Sequence, residues 1–338
     1  MRRNILILLF IIFALTTNNS LAQSWKTGKV IFESSDIVGN RLIESLYMAN
    51  ADGSDLEKLT ECWIIDGNLG KEYWNFALSP DCKEIAFNIG NHDLIRNVGT
   101  SRDVAVLQID TGDIENLTDS KNDVYCYSPH WSPDGRQIVF TRMSTPDYVN
   151  EVCIMNSDGS NVRKIGEGTA LDWSPDGRTI IFMRSKWDIY TVYTMDTNGG
   201  NVKEIVGNMS FVTDLRYSPD GKWIAYNVQQ IGGGDNRVYI MDSDGSNLKL
   251  LMTLDGRFYC WSPDSKKLAI GAEIAPDDRI RIWLVDPFKA DGGVPERLTN
   301  SNREEQSFDW RDPALFHVGI GLQSSTAITT WGYIKNKR

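Results

Sequence analysis

The chain has 338 residues, 41% hydrophobic and 24% charged, which is enough apolar material for a substantial core and too ordinary a charge fraction for a disordered polyelectrolyte. Its formal net charge is −10 and no basic cluster interrupts that acidity, so nucleic acid is disfavoured as a partner. The five cysteines (62, 82, 126, 153, 260) are an odd, scattered set without C-x-x-C spacing; neither a disulfide scaffold nor a structural zinc is expected, and most read as small buried hydrophobes.

Residues 1–22 form a segment apart. Arg2 and Arg3 precede the apolar run Ile5 to Leu15, polar "TTNNS" follows, and Ser20-Leu21-Ala22 places small residues at −3 and −1. This predicts an export signal cut before Gln23, and a run too short to span a bilayer comfortably. Cleavage removes two arginines and no acid, taking the net charge from −10 to −12. A monomeric protein of the periplasm or the secreted fraction is expected, with no membrane span after cleavage.

Beyond the signal, one ten-residue phrase recurs: "LSPDCKEIAF" from Leu78, "WSPDGRQIVF" from Trp131, "WSPDGRTIIF" from Trp173, "YSPDGKWIAY" from Tyr217 and "WSPDSKKLAI" from Trp261. The serines (79, 132, 174, 218, 262) are spaced by 53, 42, 44 and 44 residues, a period that marks a propeller, a solenoid or an array. Each copy reads as four strands. In one unit they are "VYCYSPHW", "RQIVFTRM", "EVCIMN" and "NVRKIG", with Ser-Pro-Asp-Gly and Ser-Asp-Gly-Ser as turns. Proline presets φ for a type I turn, and Asp-Gly tolerates the positive φ of hairpins. Strands such as "IVF" and "IIF" are apolar on both faces, as in buried sheets.

Second-to-fourth-strand sets fall near residues 29–60, 84–118, 137–166, 179–206, 223–252 and 267–299. The first lacks its inner strand, and "SFDWRDP" (Ser307 to Pro313) is an inner strand without followers. The expected architecture is therefore an all-β, six-bladed β-propeller of four-stranded antiparallel blades over residues 23–318, closed by the C-terminal strand so that few edges stay exposed. Residues 319–338 are left as a tail. Its end carries Lys335, Lys337 and Arg338, and Trp331 and Tyr333 leave a docking segment open beside a frayed terminus.

The phrase (apolar)-Trp-Ser-Pro-Asp-Gly-(Lys/Arg)-x-Ile-x-Phe, followed by Met-Asx-x-Asp-Gly-Ser and Leu-Thr, resembles the TolB-type propeller repeat over about residues 29–313. That resemblance implies a place in the cell envelope and a protein partner. It departs from the family in one respect: TolB carries a separate α/β domain before its propeller, for which residues 23–29 leave no room.

Candidate functional residues come from aligning the inner strands on the serine. One residue before it stand Leu78, Trp131, Trp173, Tyr217, Trp261 and Trp310, a packing column. Two before stand Ala77, His130, Asp172, Arg216, Cys260 and Asp309; four before stand Asn75, Ser128, Ala170, Asp214, Phe258 and Ser307. By the two-residue strand period these last two columns share a face, towards the axial tunnel or the neighbouring blade. Their composition varies while the packing column holds, as for a site grafted on a repeated scaffold. The expected tunnel ring is His130, Asp172, Asp214, Arg216 and Asp309. Its three carboxylates against one arginine total about −2, a field suited to a basic or amide-rich protein segment. On that reading, exchanging Asp172 and Asp309 for Asn leaves stability unchanged.

No catalytic residue, metal or cofactor is expected. G-x-S-x-G is absent, so a prolyl-peptidase-like activity has no nucleophile elbow. His92, His130 and His317 fall in different blades at different heights, unlike the metal site of a propeller lyase. The glycine-rich "IGGGDN" (Ile231 to Asn236) opens no helix and reads as a loop. The turn aspartates (81, 134, 176, 220, 264 and 52, 158, 244, 291) share one rim; Asp-x-Asp-x-Asp-Gly calcium loops are absent, and a solvated turn role competes with an acidic docking face. The alternative to a protein-binding scaffold is a hydrolase or lyase working with the tunnel carboxylates.

Overall fold

The computed structural model describes residues 28–313, except 39–40, 62, 67–68, 94–97, 121–123, 145–146, 187–188, 210–211, 229–235, 255, 274–279, 290–292 and 299–303. The expected signal, the tail, Cys62, His317 and most of "IGGGDN" lie outside the described residues.

The described chain is all β, with no α-helix. β1 (Lys29–Val38), β2 (Arg41–Asn50) and β3 (Glu57–Glu61) form a first set. The second holds β4 (Trp63–Asp66), β5 (Leu69–Leu78), β6 (Glu84–Asp93), β7 (Val98–Gln108) and β8 (Ile114–Asn116). The third holds β9 (Val124–Trp131), β10 (Gln137–Ser144), β11 (Val149–Asn156) and β12 (Arg163–Glu167). The fourth is β13 (Thr169–Trp173), β14 (Thr179–Lys186), β15 (Ile189–Asp196) and β16 (Lys203–Met209). The fifth is β17 (Val212–Tyr217), β18 (Trp223–Val228), β19 (Asn236–Asp242) and β20 (Lys249–Leu254). The sixth is β21 (Gly256–Trp261), β22 (Leu268–Glu273), β23 (Ile280–Val285) and β24 (Glu296–Arg297), after which β25 (Glu304–Arg311) pairs antiparallel with β1.

Neighbouring strands within each set pair antiparallel, giving four four-stranded sheets. The second and third sets are joined into a nine-stranded sheet by one parallel pair, Arg102↔Tyr125. β4 was not anticipated from the repeat. It folds back on β5, with Trp63↔Glu72 to Asp66↔Leu69 in register.

The apolar runs are explained by what lies on either side of each sheet. Along β10, Ile138 and Phe140 join a cluster with Ala86 and Val104 of the second set, while Val139 between them joins Trp173 and Ile180 of the fourth. β14 repeats this: Ile180 and Phe182 face backwards, Ile181 and Met183 forwards. Period-2 alternation thus persists, but both faces are buried. Six such clusters lie between successive sets. One of them packs Phe308 and Trp310 of β25 with Val30 and Phe32 of β1 against Cys260, Leu284 and Leu298 of the sixth set.

The turns follow the sequence closely. In all five copies the serine hydroxyl donates to the aspartate two residues on, at 2.6–2.8 Å, and accepts the N–H five residues on, at 2.9–3.0 Å. The same aspartate Oδ1 accepts the N–H two residues further, so each of these five aspartates stabilises its own turn. The glycine slot is left-handed in every copy; Cys82 (φ 59) and Ser265 (φ 62) occupy it where glycine is absent. The second kind of turn uses glycine for close approach. A Cβ on Gly199 (φ +87) would sit 2.2 Å from the Ile165 carbonyl oxygen of the preceding set, and one on Gly245 2.4 Å from that of Ile205. Gly199→Ala should therefore cost about 2 kcal/mol or more in urea unfolding, from left-handed strain plus the clash. Gly112→Ala, which meets no atom within 4 Å, should cost only the strain.

Candidate functional site

The inner strands β5, β9, β13, β17, β21 and β25 bring the expected columns together, with one correction. Each carries one residue more than its partner strand, so its ladder slips just before the position two short of the serine. The two-residue period therefore breaks between the columns four and two before the serine, and they do not share a face. Asn75, Ser128 and Asp214 sit at the slip with positive φ. Asp214 is thereby separated from the other four ring residues. Its carboxylate accepts from Asn227 Nδ2 at 3.2 Å within its own sheet, as Asn88 Oδ1 accepts from Asn75 Nδ2 at 3.1 Å three sets earlier.

The packing column does more than fill space. The indole N–H groups of Trp131, Trp173 and Trp261 donate to the carbonyls of Ala77, His130 and Arg216, at 3.0, 3.0 and 3.3 Å. Each acceptor is the residue two before the serine in the preceding set, so every indole spans a seam. Leu78 and Tyr217 have no indole, and the preceding ring residue is an aspartate in both cases: Asp309 before Leu78, Asp172 before Tyr217. Asp309 Oδ2 accepts the Leu78 N–H at 2.9 Å, and Asp172 Oδ2 the Tyr217 N–H at 3.1 Å. The other oxygen of each accepts the next N–H of its own strand, Trp310 and Trp173, at 2.9 Å. Carboxylates thus bridge the seams that lack an indole. Nearer the slip, Asn88 Oδ1 accepts the Ser128 N–H and Thr141 Oγ1 the Ala170 N–H, again across seams.

Around the axis, His130, Asp172, Arg216 and Asp309 are joined by Arg311, which stands where the other copies have serine. Arg311 Nε lies 3.5 Å from Asp309 Oδ2. Burial disfavours its charge, yet Asp309 and Asp172 hold the guanidinium above its ordinary range. Burial, with the positive charges of Arg216 and Arg311, pushes the His130 imidazole well below its ordinary range, so it is neutral. Burial raises the Asp172 carboxyl against the opposing pull of Arg216 and Arg311. With Asp214 removed and Arg311 added, the ring holds two carboxylates and two guanidiniums. The expected −2 becomes a balance. Arg311 escaped the sequence reading because it lies one residue past the compared columns; its visible signal was arginine in the serine slot of "DWRDP".

Other groups assemble less. No set of three or more His, Cys, Asp or Glu able to hold a metal occurs among the described residues. Cys82, Cys126, Cys153 and Cys260 are free thiols, the last three buried, and burial raises each of them. A cleft of about 510 Å³ between the second and third sets is lined by Thr118, Ser120, Arg142 and Glu151. Its charges are engaged with one another: Glu151 pairs with Arg142 at 2.8 Å and Lys164 at 2.9 Å. No helix of the described residues is long and apolar enough to cross a membrane.

Residues 165–310 match the family described as the TolB beta propeller domain. Among solved structures, TolB from Acinetobacter baumannii is similar with a TM-score of 0.66 at 20% identity, over 88% of this chain and 71% of that one. A TolB-type protein from Agrobacterium tumefaciens gives 0.57 at 17% identity, over 80% and 88%. An oligogalacturonate lyase in complex with manganese gives 0.52 at 12% identity, over 75% and 76%. At these identities the likenesses speak to the fold. Repeat, strand order and the match over residues 165–310 agree: the described chain is all β, built of repeated antiparallel sheets, with a fold similar to the TolB β-propeller.

Proposed function

We propose that this propeller is an exported, non-catalytic scaffold of the cell envelope that binds a protein or peptide at the mouth of its axial ring, in a six-bladed ring closed by β25. The observation that carries the reading is the contrast between neighbouring columns. The seam column is tryptophan in four of its six places, whereas the next column and Arg311 place imidazole, carboxylate and guanidinium side by side at the axis. Polar variety at the centre of a repeated scaffold supports a grafted site.

The hydrolase or lyase reading has the lyase-like fold behind it, and the ring chemistry weighs against it. Both ring carboxylates already accept two backbone N–H bonds each, which ties them to the seams and leaves them poorly placed to take a proton from substrate.

The test is capture from the exported fraction of the source cell, with bound proteins quantified by mass spectrometry for wild type and for a His130→Gln/Arg311→Gln double variant. The mature chain should begin at Gln23 and retain a partner that the double variant loses. Capture untouched by the double variant, or a soluble chain that keeps Met1, would overturn the site or the export respectively.

A further inference from the structure

We propose that the axial ring is an oxyanion site, taking a carboxylate or phosphate between Arg216, Arg311 and His130. This names the ligand class of the ring proposed above as the binding site and rests on that reading. It reverses the charge preference expected from sequence.

The inference follows from which hydrogen-bonding groups at the axis are occupied. The acceptors are used: each oxygen of Asp172 and of Asp309 takes one backbone N–H at 2.9–3.1 Å. The donors are open. Arg311 makes no hydrogen bond from its guanidinium among the described residues; its Nε is buried without a partner, 3.5 Å from Asp309, while the side chain as a whole keeps about a third of its exposure. Arg216 uses Nη1 alone, donating to Leu171 O at 3.0 Å and Leu215 O at 2.9 Å, and those two bonds aim the guanidinium. Its Nε and Nη2 donate to nothing among the described residues. The His130 side chain makes no hydrogen bond among the described residues, so a neutral imidazole contributes one further N–H.

Buried or half-buried donors are seldom left empty, and a guanidinium cannot shed its proton to escape the cost. Two forks and an imidazole around one axis match an acceptor-rich anion, with bidentate geometry available from either arginine. A lysine ammonium entering the same ring would find both guanidiniums facing it. The flanking carboxylates balance the two arginines, so the empty ring carries no net charge, which favours a moderate, reversible affinity.

The experiment is isothermal titration at low ionic strength with three probes: inorganic phosphate, an end-blocked tetraglutamate and an end-blocked tetralysine. Phosphate or tetraglutamate should bind the wild type and tetralysine should not; tighter phosphate would indicate a free oxyanion, tighter tetraglutamate a peptide carboxylate. Arg311→Gln, which breaks no hydrogen bond of the described fold, should weaken the binding about ten-fold, as expected for losing a hydrogen bond to a charged group. If Arg311→Gln fails to fold, His130→Gln carries the same comparison, with a smaller loss. Tetralysine bound in preference to both anions, no anion bound, or anion binding unchanged in these variants would overturn the inference. Ring-dependent protein capture without any oxyanion affinity would overturn it too, and leave the scaffold reading standing.

Discussion

A chain ending at residue 305 should fail to fold as a soluble, cooperative body, whereas one ending at residue 321 should behave as the full chain. The shorter chain loses Phe308 and Trp310, both buried against Cys260, Leu284 and Leu298. It also strips the β1 edge from Lys29 to Phe32 of its partner and removes the Asp309 carboxylate from the seam to Leu78. Truncating a buried Phe or Trp typically costs about 3–5 kcal/mol each, so the apolar loss alone rivals the about 5–15 kcal/mol of a whole domain. The bared edge adds a route to aggregation. Size-exclusion chromatography and urea unfolding of the two truncations decide it: a monomeric, cooperatively unfolding chain at 305 would refute closure through β25.

Asp172→Ala should destabilise the protein by about 2–4 kcal/mol, because it leaves the N–H groups of Tyr217 and Trp173 without their acceptor at a packed seam. Asp172→Asn should recover only part of this, since an amide offers one acceptor oxygen where the carboxylate offers two. A purely electrostatic role in the tunnel predicts the opposite, a melting temperature that does not move. The seam rule makes a sharper demand. Tyr217→Trp places an indole like those that bond across three other seams, so in an Asp172→Ala background it should bond the residue-172 carbonyl and restore stability. A double-mutant cycle should then show favourable coupling of about 1 kcal/mol or more between positions 172 and 217. Additive effects would mean that carboxylate and indole are not interchangeable latches.

Much of the architecture is legible in the amino-acid sequence. Ser-Pro-Asp-Gly declares its own turn, because serine, proline, aspartate and glycine each act within six residues of chain. The "IVF" and "IIF" runs declare sheets buried on both faces, and the clusters on either side of β10 and β14 are what that burial looks like. The orphan "SFDWRDP" pointed to the partner of β1 because a strand without followers and a set without an inner strand leave one economical pairing.

The candidate site was legible only as a column of varied residues. Reading its geometry needed the slip in each inner strand, since one extra residue shifts every side chain beyond it to the other face and separated Asp214 from Asp172. Strand β4 was missed because it belongs to no repeat.

Local rules of turn and strand therefore determined this protein's repeat, its strand order and its all-β class, because the forces behind them act over a few residues. Only the tertiary structure decided what Asp172, Asp309 and Arg311 do. Their partners lie 45, 231 and two residues away, and in the first two cases the partner is a backbone N–H across a seam, which no side-chain pattern records. A carboxylate in sequence is a negative charge; packed against an N–H of the next blade it is first an acceptor, and that change of role turned an expected acidic ring into one whose open groups are donors.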